Sequence, residues 1–81
     1  MHLNLIRSLI KIAGKYAEQS RVSIRNIRRD GMDSIKSMEK NSEIGKDESV
    51  SLSSNVQDLT DEYIKKIDET LLNKEQEIKQ V

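Results

Sequence analysis

Apolar or small side chains recur through the first half of the chain at Leu9, Ala13, Tyr16, Ser20, Ile24, Ile27, Gly31, Ile35 and Met38, in steps of four and three. At 3.6 residues per turn that rhythm forms a single stripe along a helix, whereas a strand would split it between two faces. Proline is absent, so no residue forces such a helix to break. The stripe predicts one helix from about residue 5 to 40, roughly 54 Å long at 1.5 Å per residue.

Between residues 41 and 54 the rhythm lapses. The segment Asn41-Ser42-Glu43-Ile44-Gly45-Lys46-Asp47-Glu48 has the polar, glycine-containing chemistry of a helix–helix connection. Gly45 is expected to supply the turn or the cap, and Asp47 and Glu48 suit the positive end of a helix dipole. The serines at 49, 51, 53 and 54 make for a weak start to a second helix. Leu52, Val56, Leu59, Tyr63, Ile67, Leu71, Ile78 and Val81 then resume the three-four spacing, interrupted by Lys74. That helix is therefore expected over about residues 49–78, with Lys46 as an alternative start. Two long helices joined by about eight residues make an antiparallel hairpin, an all-α fold. One seam cannot bury Leu5, Ile6, Ile10, Ile12, Ile64 and Leu72 as well. The hairpin thus reads as two-thirds of a three-helix bundle, and its surplus apolar side chains suggest a further helix or a second copy.

At 81 residues this is at most one small domain. Without cysteine there are no disulfides or thiolate metal sites, and the single histidine, His2, reads as a surface residue. The acidic residues Asp61, Glu62, Asp68, Glu69, Glu75 and Glu77 are spread among Lys65, Lys66, Lys74 and Lys79 and form no oxygen cage. No nucleophile with its base and no glycine-rich phosphate loop occurs, so no enzyme, metal or cofactor is expected. The most apolar stretch, Leu3 to Ile12, contains Arg7 and Lys11 and is too short to span a membrane. It faintly resembles a basic targeting peptide, but its apolar phase runs on into the first helix.

Net charge is zero, yet residues 1–40 carry nine Lys/Arg against four Asp/Glu, and residues 41–81 carry five against ten. That division fits either a polyanion-binding helix on an acidic scaffold or two oppositely charged helices that simply pair. Arg21, Arg25, Arg28 and Arg29 fall at i, i+4, i+7 and i+8, on a basic ridge with Arg7, Lys11 and Lys36 that Glu18 alone interrupts. Arg is permanently charged and can grip a phosphate through two parallel N–H groups. A solvated face, with local pairs to Glu18 and Asp33, explains the same spacing. Only Tyr16 and Tyr63 are aromatic, which argues against base stacking.

The run Arg25-Asn26-Ile27-Arg28-Arg29-Asp30 resembles the ribosome recycling factor family. So do Leu59-Thr60-Asp61-Glu62-Tyr63-Ile64-Lys65-Lys66-Ile67-Asp68 and Lys74-Glu75 downstream, with Lys40-Asn41-Ser42-Glu43-Ile44 matching the family's helix connection without a gap. The similarity covers about Lys11 to Val81. It implies a two-domain protein: a long three-helix bundle with a small β-rich domain inserted between its first and second helices, which splits the post-termination ribosome with elongation factor G. The present chain resembles helices two and three of that bundle.

Where the family usually opens its second helix with Leu-Thr-Glu-Glu-Arg-Arg-Lys, this chain reads Met1-His2-Leu3-Asn4-Leu5-Ile6-Arg7. Leu5 and Ile6 thus replace a basic pair that contacts ribosomal RNA. Gly45 stands where the family usually has a helix-capping Ser. These departures suggest a truncated or split copy of the helical domain over residues 1–81.

The resemblance implies cytoplasmic binding to the large ribosomal subunit, with Arg21, Arg25, Arg28 and Arg29 facing rRNA. Elongation factor G is an implied partner, although its contact domain has no counterpart among these residues. The alternatives are a helical-hairpin interaction module, such as a homodimer, and a remnant without function.

Overall fold

The computed structural model describes residues 2–81, which form two α-helices, α1 (His2–Lys40) and α2 (Lys46–Lys79), joined by residues 41–45. Arg21 meets Asp68, and Gly31 lies opposite Val56. Residue numbers thus rise along one helix as they fall along the other, so the pair is an antiparallel hairpin. Helix α1 extends three residues further toward the N-terminus than its periodicity suggests. It contains His2, which is exposed. Helix α2 starts at Lys46, at the early end of the expected range.

The connection turns through Ser42, which adopts the left-handed conformation at φ 60°. Its N–H donates to the Glu39 carbonyl at 3.0 Å, and the Glu43 N–H donates to the Met38 carbonyl at 2.8 Å. This crossed pair is a Schellman motif, which satisfies carbonyls that the end of α1 would leave open. Of the two roles expected for Gly45, turn or cap, it takes the second: it sits in extended backbone (φ −81°, ψ 171°) as the N-cap of α2, without a capping side chain. Asp47 and Glu48 in the first turn of α2 complement its dipole, as do Lys40 and Lys79 at the two C-terminal ends.

The serine-rich opening of α2 is regular helix, and Ser49 is buried. A small side chain there lets the two backbones approach, so packing overrides the weak local propensity. The buried positions are Ala17, Ile35, Ser49 and Thr60, which makes the seam narrow and built largely of small residues. The Thr60 hydroxyl is satisfied by donating to the Val56 carbonyl at 2.7 Å.

The seam does not follow the centre of the apolar stripe. Tyr16 and Ile27, which belong to the stripe, are each 66% exposed, while Ile6 and Ile10 are half-buried in the seam. Ile64 is likewise half-buried, whereas Leu5, Ile12 and Leu72 stand exposed, off the seam as expected. The apolar face of α1 is wider than one helix can cover. Helix α2 occupies the side nearer the arginines and leaves the other side open.

The molecule measures 62 × 15 × 9 Å between Cα extremes, with a radius of gyration of 18.4 Å. A compact domain of this length would have a radius near 12 Å. Its accessible surface, 6345 Å², likewise exceeds the roughly 5,000 Å² expected of a compact chain of this mass. The hairpin is a flat rod one helix thick, with two broad faces on either side of its seam.

Candidate nucleic-acid interface

Helix α1 carries the four arginines along one edge of the rod. By helical spacing they span roughly 100° of its circumference in the order Arg28, Arg21, Arg25, Arg29, with Arg28 nearest the seam. The structure divides them into a pair that reaches across to α2 and a pair that points away.

Arg21 is the most enclosed of the three for which an ion pair forms, its side chain 19% exposed. Its Nε donates to Asp68 Oδ1 at 2.9 Å, its Nη2 lies 2.8 Å from the same oxygen, and its Nη1 donates to Glu18 Oε2 at 3.1 Å. The hydrogen bond to Asp68 raises the guanidinium above its ordinary pKa; partial desolvation opposes this and Glu18 adds to it. All three nitrogens are engaged, so this charge is already answered within the hairpin.

Arg28 is half-buried and its partner is neutral. Its Nε donates to Gln57 Oε1 at 2.8 Å, and the Gln57 amide nitrogen donates in turn to Asp61 Oδ1 at 2.9 Å. Among the described residues Arg28 makes no ion pair. The aliphatic stems of Arg21 and Arg28 cover the edge of the seam while their heads stay polar.

Arg25 and Arg29 are 57% and 64% exposed. Arg25 lies 3.7 Å from Glu18 and Arg29 lies 3.6 Å from Asp30, loose surface pairs that salt readily screens. Glu18 pairs as anticipated, but Arg29 takes its neighbour Asp30, and Asp33 forms no ion pair among the described residues.

Periodicity on α1 alone does not reveal Gln57, Asp61 or Asp68 as partners. The signal that does is the register, because a five-residue connection pairs positions whose numbers sum to about 85–89. Asp61 then supports Gln57 from the next turn of α2.

The opposite broad face is apolar. A shallow groove of about 410 Å³ runs between Ala13, Tyr16 and Ser20 of α1 and Tyr63, Thr70 and Lys74 of α2. It continues past Tyr63 into a second hollow of about 330 Å³ bordered by Ile24, Ile27, Val56 and Leu59, with Arg28 at its rim. The Lys66 ammonium sits 5.2 Å from the centre of the Tyr63 ring and 3.4 Å from Glu62, and Lys74 pairs with Glu77 at 3.2 Å. The groove's lysines are thus partly neutralised by their own helix.

No group of three or more His, Cys, Asp or Glu is placed to hold a metal among the described residues, and no described helix is long and apolar enough to cross a membrane.

Comparison with known proteins matches residues 5–78 to the family described as ribosome recycling factor. A ribosome-recycling factor of Granulibacter bethesdensis is 59% identical over 73 residues, which are 90% of this chain and 39% of the relative. Those of Rhizobium rhizogenes and a Synechococcus species are 56% and 58% identical, over 93% and 89% of this chain and 40% of each relative. The chain therefore spans about 40% of the length of the curated relatives it matches.

Proposed function

The chain belongs to the ribosome recycling factor family, and on that premise we propose that it binds the large ribosomal subunit in the release of ribosomes after translation termination. The basic edge of α1 meets rRNA phosphates in this reading, and the setting is the cytoplasm. The observation that carries it is the alignment of the half-buried Arg28 with the exposed Arg25 and Arg29 along one edge of the hairpin. Their role is electrostatic and positional, a translation factor's contact and not a catalyst's.

Neutralising phosphates releases counterions, so binding should weaken steeply with salt. Pelleting with large ribosomal subunits across a salt series tests this. Arg25→Ala and Arg28→Ala should each weaken binding several-fold and reduce the log–log salt slope by about 1. Unchanged affinity in the double variant would refute the proposal.

Elongation factor G, the other partner implied by the family, is met partly by the inserted domain in this scheme. The two helices alone should therefore bind ribosomes without splitting them. A polysome-breakdown assay with the factor and GTP checks this, and breakdown at a rate near that of full-length relatives would overturn it.

The groove supports a second reading, a helical hairpin that self-associates. A face about 62 Å by 15 Å offers on the order of 900 Å² per copy, which reaches the size of a standard specific interface. Pairing the two grooves would bury Tyr16, Ile27, Leu59 and Tyr63 in a four-helix bundle. Sedimentation at micromolar concentration distinguishes the dimer from a monomer.

A further inference from the structure

We infer that Gln57 is a positioning residue that presets Arg28 for an anion while leaving its charge unspent. The inference rests on the reading of the arginine edge as a phosphate-binding surface. It goes beyond that reading by assigning a role to α2, which carries none of the four arginines.

A guanidinium has five N–H groups in one plane. Gln57 Oε1 takes the one on Nε at 2.8 Å. The remaining four lie on Nη1 and Nη2, whose outer edge presents the parallel pair that a phosphate accepts. Fixing the Nε–H direction limits rotation about the end of the side chain, so less conformational freedom is lost when an anion arrives. Gln57 is itself held, because its amide nitrogen donates to Asp61 Oδ1 at 2.9 Å. That bond also sets which way the amide faces, turning its oxygen to Arg28.

Arg21 provides the contrast within the same molecule. Its anchor on α2 is the carboxylate of Asp68, and Glu18 occupies its remaining nitrogen. A carboxylate anchor orients a guanidinium but cancels its charge, whereas an amide anchor orients it alone. The two cross-helix arginines therefore have different tasks: Arg21 ties the helices together through an ion pair, and Arg28, half-buried at the edge of the seam, is oriented by a neutral partner and keeps its charge.

The test separates orientation from charge. Gln57→Leu removes the acceptor without altering the charge count. It should lower affinity for large ribosomal subunits by roughly three- to tenfold, the equivalent of one ordinary hydrogen bond, and leave the salt slope unchanged. Arg28→Ala should lower both affinity and slope, the slope by about 0.9. Gln57→Glu retains an acceptor but adds a negative charge, so it should reduce affinity and slope together. In a background of Arg28→Ala, Gln57→Leu should have no further effect.

Helicity by circular dichroism must match wild type in each variant. Should Gln57→Leu unfold, Gln57→Ala carries the same expectation. Independently of RNA, the Arg28 Hε resonance should exchange slowly with water in the wild type and rapidly in Gln57→Leu and Gln57→Ala, which lack the acceptor. If Arg28→Ala weakens binding while Gln57→Leu and Gln57→Ala bind as wild type, or if the Hε exchange is unaffected in them, the positioning role is wrong and the phosphate-binding reading stands. If Arg28→Ala and Arg25→Ala also bind as wild type, that reading itself fails.

Discussion

Asp68 holds Arg21 from 47 positions away in the chain, one carboxylate oxygen receiving both Nε and Nη2 at 2.9 and 2.8 Å. The contact lies at the edge of the seam and joins the basic helix to the acidic one. It identifies Arg21 as a clasp, in contrast to the outward-facing Arg25 and Arg29. Replacing Arg21 with Ala, or Asp68 with Asn, should lower the thermal midpoint, and the double replacement should cost less than the two combined. In ribosome pelleting, Arg21→Ala should change affinity by no more than about twofold, less than Arg25→Ala or Arg28→Ala. An equal or larger loss would place Arg21 at the RNA contact after all.

Ser42 carries the left-handed turn that ends α1. That conformation disfavours an L side chain by about 1–2 kcal/mol, and glycine relieves most of it. Ser42→Gly should therefore stabilise the hairpin by about 0.5–1 kcal/mol. Gly45→Ser, which supplies the missing capping side chain, should add a few tenths more. Urea midpoints at constant slope measure both, and a destabilised Ser42→Gly would contradict the geometry described.

Gly14 and Gly31 lie within α1 at ordinary helical backbone angles. A methyl group at Gly14 would meet nothing within 4 Å, and one at Gly31 would sit 3.7 Å from Val56 Cγ1, an ordinary van der Waals contact. Each change to Ala should raise stability by about 0.5–1 kcal/mol through helix propensity. A loss at Gly31 would mean that the helices pack more closely there than the structure shows.

Ile35 and Ile27 separate the seam from the groove. Ile35 is 5% exposed, so Ile35→Ala should cost about 2–4 kcal/mol. Ile27→Ala should change the stability of the isolated hairpin by less than about 0.5 kcal/mol, as a largely exposed position does. If the groove mediates self-association, Ile27→Ala should abolish the concentration dependence of melting while Ile35→Ala preserves it. Melting curves at two concentrations a hundredfold apart provide the comparison.

The elements that repeat locally are legible in the sequence. The three-four rhythm of Leu9 to Met38 is enough for α1, the polar stretch around Gly45 for the connection, and Leu52 to Ile78 for α2. The arginine edge emerges from the same counting. The rotation of α1 about its own axis does not, because its apolar face is broader than one neighbour can cover. Tyr16 and Ile27 satisfy the pattern as well as Ile24 and Ile35 do, and only the position of α2 decides which pair is covered. The role of Ser42, and with it the choice between turn and cap at Gly45, is hidden for a related reason. A left-handed residue belongs two places beyond the last helical turn, and its position depends on where α1 stops. The family resemblance locates the arginines within a known type of surface, but Gln57 and Asp68 emerge only from the register between helices.

A body 9 Å thick has no centre. Each turn of one helix leans on one turn of the other, and no residue is supported from more than two directions. Such an object resembles a zipper more than a globule: opening should start at the free ends, His2 and Lys79, where few contacts hold the helices, and move toward the Schellman turn. Amide exchange should be slowest where Ile35 and Ser49 are buried and should quicken steadily along both helices toward the open end. The Arg21–Asp68 clasp lies partway along that gradient, and the arginine edge is whole only while the zipper is closed as far as that tooth.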